Sequence, residues 1–271
     1  MKLSPQQIWK YNQVIYAELL DELDKHFKAI NVCYMPIKGA YLIGSGLAEK
    51  MTYRRMDDVD ILVKKEDFEK VCGFLSFLPQ VKFLKHRWYF EKEFAYSMGS
   101  FICYLEIHSL LNESSRFDLS TEKLFERALP CEGMRVVPCF EDAMVILICH
   151  LIVHIAHEMR ETVFEEISLI SKHKDFKWEK FWSIAKTTNI LPFFHFILFW
   201  YKNETNDQSV SIFKKNAYSY GIVKFAEFMG YKRIPFLIRR IFFELVFVKK
   251  PLQRIKNSLF YGKEISVFKP I

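Results

Sequence analysis

Arg54-Arg55-Met56-Asp57-Asp58-Val59-Asp60-Ile61-Leu62-Val63 is the stretch on which the fold turns. Its β-branched residues favour extended backbone, and apolar positions 59, 61 and 63 alternate with the acids at 58 and 60. Side chains two apart on a strand leave from the same face, with Cα atoms about 6–7 Å apart. Asp58 and Asp60 therefore point into one cleft, while Val59, Ile61 and Val63 line the core side. Two carboxylates held this close repel unless a cation lies between them. Mg²⁺ suits that role, because it takes oxygen ligands and is held by one or two carboxylates together with substrate phosphates. The structural alternative is that Asp57-Asp58 only marks the turn into a buried strand.

Working outward, a third acid lies in Ile102-Cys103-Tyr104-Leu105-Glu106-Ile107-His108, an extended stretch in which Glu106 has apolar neighbours. Ionisable groups are rarely buried without a partner. Pairing of this strand with the 59–63 strand, in either direction, brings Glu106 to the cleft and completes a cage for two cations. His108 shares the face of Glu106, as a ligand-orienting group or as a half-buried strand histidine.

The surrounding elements are read from periodicity. Residues 5–30 carry apolar side chains at helical spacing, which predicts an amphipathic opening helix. Val32–Ile37 reads as a short strand, followed by the turn Lys38-Gly39-Ala40 and a small-residue helix to about Lys50. Glu66–Phe77 reads as helix, and Val81–Trp88, Tyr89–Met98 and Phe101–Leu110 as strands, with Gly99-Ser100 turning the last two into a hairpin. Cys131–Val137 predicts a short strand closed by Pro138, and from Glu141 onward the period is helical, interrupted by a polar loop at Lys202–Ser211.

Apolar residues at 51%, charged residues at 26%, and only 9 Gly and 9 Pro exclude a disordered or low-complexity chain. With 27 Phe, the chain either builds a thick aromatic core or leaves an apolar face for a partner. The net charge of +7 is uneven, for residues 212–271 carry +10 and the rest sum to −3. That tail is read either as a solvated basic segment or as a docking surface for anionic membrane or nucleic acid. Six cysteines without Cys-x-x-Cys spacing, and no apolar signal core at the start, predict a cytoplasmic protein, peripheral to a membrane if the tail docks there. The apolar runs Ala143–Ala156 and Leu191–Tyr201 are too short to span a bilayer and read as buried helices.

Three blocks in this order, Lys38-Gly39-Ala40, Arg54–Val63 and Leu105-Glu106-Ile107-His108, resemble the uncharacterised nucleotidyltransferase family of the DNA polymerase beta-like superfamily, over roughly residues 30–170. The resemblance implies an α+β fold: a mixed-sheet catalytic core, residues 1–138, followed by an all-helical part, 139–271. It implies transfer of a nucleoside monophosphate from an NTP such as ATP to a hydroxyl of a small molecule or protein, with Asp58, Asp60 and Glu106 holding two Mg²⁺ ions. Glu106 is then the carboxylate nearest the nucleophile. Where the superfamily has a Gly-Ser or Gly-Gly pair, this chain offers Lys38-Gly39, whose turn opens a helix and adds a cation for the triphosphate. Gly44-Ser45-Gly46 competes for that role and otherwise serves as a helix stop. Arg54 matches the family's arginine before the acids, as a bidentate phosphate clamp or a solvated loop residue.

His150, His154 and His157 fall on one helical face, a spacing open to zinc, although a satisfied interior histidine is the simpler account. A reading from a different class keeps the fold without catalysis, as a binding module that docks to anionic membrane or nucleic acid through residues 212–271.

Overall fold

The computed structural model describes residues 4–54, 56–111, 118–131, 133–154, 161–188 and 191–205. Arg55, His157 and the whole basic tail lie outside the described residues, so the docking and zinc readings that use them have no structural counterpart here. The described residues form a mixed α+β fold in which a five-stranded sheet is followed, from Phe140 onward, by helices.

Helix α1 (Pro5–Ala29) opens with a capping box: Ser4 Oγ accepts from Gln7 N at 3.2 Å and Gln7 Oε1 accepts from Ser4 N at 2.8 Å, with Pro5 at the first helical position. Its core stripe, Leu19, Leu20, Leu23 and Phe27, is fully buried. The chain continues through β1 (Tyr34–Ile37), α2 (Lys38–Gly44), β2 (Val59–Val63), α3 (Phe68–Phe77), β3 (Val81–Trp88), β4 (Glu91–Met98) and β5 (Phe101–His108). A short helix and a two-stranded sheet follow in α4 (Thr121–Arg127), β6 (Leu129–Pro130) and β7 (Val136–Val137), and then α5 (Phe140–His154), α6 (Glu161–Ser171), α7 (Trp178–Ala185) and α8 (Leu191–Thr205).

Strand order is β1-β2-β5-β4-β3, with β2 and β5 parallel and the other neighbours antiparallel. Val59, Ile61, Val63, Leu105 and Ile107 share one face and are 0% exposed. Tyr34 and Tyr96 share that face through their partners Val63 and Cys103, and both meet α1. The ring of Tyr34 stands edge-on to Phe27 at 5.0 Å and donates its hydroxyl to Leu20 O, and Tyr96 Oη lies 2.9 Å from His26 Nε2. The face that α1 covers is thus the apolar one, which leaves the acids on the other.

Three local expectations change. The helix expected to reach Lys50 ends at Gly44, because Gly46 takes φ +72° after the C-cap Ser45; a separate 3₁₀ turn covers Ala48–Lys50. The Cys131–Val137 strand becomes the pair β6 and β7, joined through Gly133 at φ +68°. Helix α8 runs through Lys202–Thr205, where a loop was expected, since a polar final turn extends a helix whose buried side has already set its axis.

The described residues within Met1–Leu111, Ser120–Leu147 and Arg160–Lys177 form one compact unit, and those within Asn112–Leu119, Ile148–Met159 and Trp178–Ile271 a second. The first contains the sheet. In the second, Phe181 meets Trp182 and Phe194 edge-on at 5.0 and 5.7 Å, and the His195 ring stacks on Trp182 at 4.5 Å. No helix among the described residues is long and apolar enough to cross a membrane.

Burial holds the His195 imidazole below its ordinary 6.5. The unfolded chain then binds a proton more readily than the folded one, so this stabilisation is full above about pH 6.5 and lost as pH falls. Between about pH 7.5 and 5.5, the wild type should lose more melting temperature than His195→Phe. Equal losses in thermal melts of the two proteins would remove His195 as the cause.

Candidate active site

The polar face of the sheet is built by register. Asp60 on β2 lies directly opposite Glu106 on β5, and Glu106 opposite Glu93 on β4; one step along, His108 lies opposite Glu91. Directly paired residues project from the same face, so these five side chains form two adjacent rows. All five are buried. Ligand atoms of Asp60, Glu106 and His108 lie within 4.8 Å of one another.

Asp60 Oδ1 is the hub. It accepts from Lys38 Nζ and lies 3.0 Å from His108 Nε2, and the same imidazole nitrogen is 3.6 Å from Glu106 Oε2. Burial works against the Asp60 charge, but Lys38 and His108 outweigh it and hold the carboxyl well below the usual carboxylate range. Burial likewise opposes the His108 charge, yet its bonds to Asp60 and Glu106 lift the imidazole to about 9. Lys38 is raised against burial by Asp60 and Glu106. The site therefore balances two inner carboxylates with an ammonium and an imidazolium.

Lys38 reaches Asp60 because the chain turns sharply at the end of β1. Ile37 pairs with Asp60, and the next residue, Lys38, adopts φ +53°, a left-handed conformation that costs a non-glycine residue roughly 1 kcal/mol. Gly39 follows, and a Cβ built there would lie 2.1 Å from Arg54 Nη1 and 2.8 Å from Met56 Sδ. Glycine at 39 is thus the space in which the Arg54 guanidinium lies. Arg54 Nε donates to Glu166 Oε1 at 2.8 Å, with both side chains largely buried.

Of the seven site residues expected from sequence, Asp60, Glu106, His108 and Lys38 come into mutual reach, and Gly39 and Arg54 meet beside them. Asp58 lies in the half-buried lead-in to β2, outside the group of three ligand atoms, and its charge acts on Lys38 and Arg54. Sheet pairing begins only at Val59, so the backbone does not hold residue 58 in the row. Gly44-Ser45-Gly46 terminates α2. His150 is half-buried on α5.

Sequence reasoning passed over Glu91, Glu93 and Glu166. Glu91 Oε2 lies 3.6 Å from His108 Nδ1, on the side away from Asp60. The period-two spacing of Glu91 and Glu93, the same signal that marked Asp58 and Asp60, was available to find the first two. Glu166 sits on a helix remote in sequence, where no local pattern distinguishes it from a surface acid.

A cleft lined by Lys38, Tyr41, Leu42, Ala143, Glu166 and Ile170 adjoins the site from the helical side, with Lys38 and Glu166 as its charged members. The carboxylates of Asp60 and Glu106, with the His108 imidazole beside them once it has given up its proton, form a donor set that fits a divalent cation. No curated protein and no solved structure matches the chain in comparisons with known proteins. The model of one protein family, described as uncharacterised nucleotidyltransferase, matches residues 2–204, a span that takes in the whole sheet, Lys38, Arg54, the acids and Glu166. With three quarters of its length matched, this chain belongs to the uncharacterised nucleotidyltransferase family.

Proposed function

We propose that the protein moves a nucleoside monophosphate from an NTP, ATP among the candidates, to a hydroxyl of a small molecule or a protein, in a reaction that depends on Mg²⁺. The observation that carries this reading is the in-register pair Asp60 and Glu106 with His108 beside it, in a chain of this family. Asp60 and Glu106, with Asp58 at the mouth, would hold two Mg²⁺ ions. Bound there, the metal supplies Lewis-acid polarisation of phosphate oxygens and a more acidic acceptor hydroxyl.

The chain's own residues do the rest. The acceptor oxygen forms a bond to the α-phosphorus, the bond from that phosphorus to the bridging oxygen breaks, and pyrophosphate leaves. Glu106 takes the acceptor's proton. His108 orients Asp60 through its 3.0 Å contact and holds Glu106 electrostatically at 3.6 Å. Lys38 neutralises Asp60 and, with nucleotide present, turns its ammonium to the triphosphate. Arg54 clamps a phosphate through its Nη edge, and Gly39 leaves the room for it. Positioning and charge stabilisation carry most of the rate. The catalytic part is assigned to residues 1–138, and the helical part, 139–271, contributes Glu166.

The test is label transfer. Incubated with Mg²⁺ and cell extract, the protein should move label from α-³²P NTP, and not from γ-³²P NTP, onto an acceptor. If none of the four NTPs labels any acceptor with either Mg²⁺ or Mn²⁺, the reading is discarded.

A further inference from the structure

We infer that Glu166 is a positioning residue for the nucleotide's phosphates, acting through Arg54; this rests on the nucleotidyltransferase reading above. The two residues are 112 positions apart, and the fold joins them in a largely buried ion pair with Nε to Oε1 at 2.8 Å. A guanidinium carries five N–H donors in a rigid fork. A carboxylate on Nε uses one of them and fixes the plane of the group, which leaves the four N–H donors of Nη1 and Nη2.

Neither Nη has a hydrogen-bond partner among the described residues, and neither is among the buried polar atoms sealed from solvent. The guanidinium lies against the backbone of Gly39, with Nη1 and Cζ 2.1 and 2.9 Å from where a Cβ would stand. The open fork thus sits at the turn after β1, in the field of Asp58 and Asp60. A bidentate donor edge beside carboxylates suited to a divalent cation matches the phosphate chain of a metal-bound nucleotide.

A purely structural ion pair would hold the loop before β2 in place, but that loop has a second tether. The neighbouring acid on α6, Glu165, accepts from Thr52 N at 2.8 Å. Loss of the Glu166 charge therefore releases the guanidinium while the backbone stays anchored. The α6 acids divide the work: Glu165 holds the main chain and Glu166 aims the side chain.

Calorimetric titration of Glu166→Gln tests this, with non-hydrolysable analogues of the four NTPs, the matching nucleoside monophosphates, and Mn²⁺ alone. The expected result is triphosphate affinity weakened about ten-fold, with monophosphate and Mn²⁺ affinities within about two-fold of wild type. Arg54→Gln should lose a similar factor, and the double variant no more than Arg54→Gln alone. Gly39→Ala, which pushes the guanidinium aside, should reproduce the pattern and carries the test if Glu166→Gln does not fold. Unchanged triphosphate affinity, or a uniform loss that includes monophosphate and Mn²⁺, overturns the inference while the nucleotidyltransferase reading stands. A wild type that binds no triphosphate at all overturns that reading instead.

Discussion

Asp60→Asn should lower nucleotidyl transfer by about a thousand-fold or more, equivalent to ~4 kcal/mol of barrier, because it removes the carboxylate on which the inner site converges. The substitution should also destabilise the fold. Asp60 is the counter-charge for Lys38, whose side chain is only 19% exposed, and for buried His108. Breaking a buried pair on one side costs about 3–5 kcal/mol, since the remaining charge has neither partner nor water. A second substitution, Lys38→Met, removes that stranded charge. The double variant should recover most of the lost melting temperature and none of the label transfer. Transfer by Asp60→Asn at more than a tenth of the wild-type rate would remove Asp60 from the chemistry. A double variant that melts no higher than the single one would show that Lys38 is not what Asp60 stabilises.

The second large effect concerns stability alone. Arg127, in the last turn of α4, donates from Nε and Nη2 to the two oxygens of Asp142 at 2.8 and 2.7 Å, and Asp142 is 0% exposed. The Cys139 thiol adds a donor at 3.2 Å. Arg127→Met should cost about 3–5 kcal/mol in urea unfolding, because a fully buried carboxylate loses its bidentate partner. Arg127→Met with Asp142→Leu should restore most of this, since an apolar pair of similar volume is often neutral or better than the ions it replaces. Label transfer should persist in the double variant, because neither residue touches the proposed site. A cost below about 1 kcal/mol for Arg127→Met would mean that the pair is effectively solvated.

The strands and the acids were legible where the signal is local. Period-two alternation around Asp60, the apolar frame of Glu106 and the Gly99-Ser100 turn are short-range patterns, and each element stands where they put it. The first helix declared itself through its apolar stripe, and the capping box at Ser4 and Gln7 came only with the structure. Partners were not legible. Arg54 read as a phosphate clamp or a solvated loop arginine until α6 brought Glu166 to it, and Lys38 read as a cation for the triphosphate until a left-handed residue after β1 turned it onto Asp60.

What the sequence by itself determined is the inventory: mixed strands with a helical remainder, two carboxylates on facing strand segments, and a family signature in three blocks. Only the tertiary structure decided which groups neutralise each other. The parallel register set Asp60 against Glu106 and added His108, the turn after β1 delivered Lys38, and α6 took Arg54. The reason is range. Periodicity and turn chemistry act over a few neighbouring residues, whereas a charge in a buried site responds to whatever folding brings within a few ångströms, however distant along the chain.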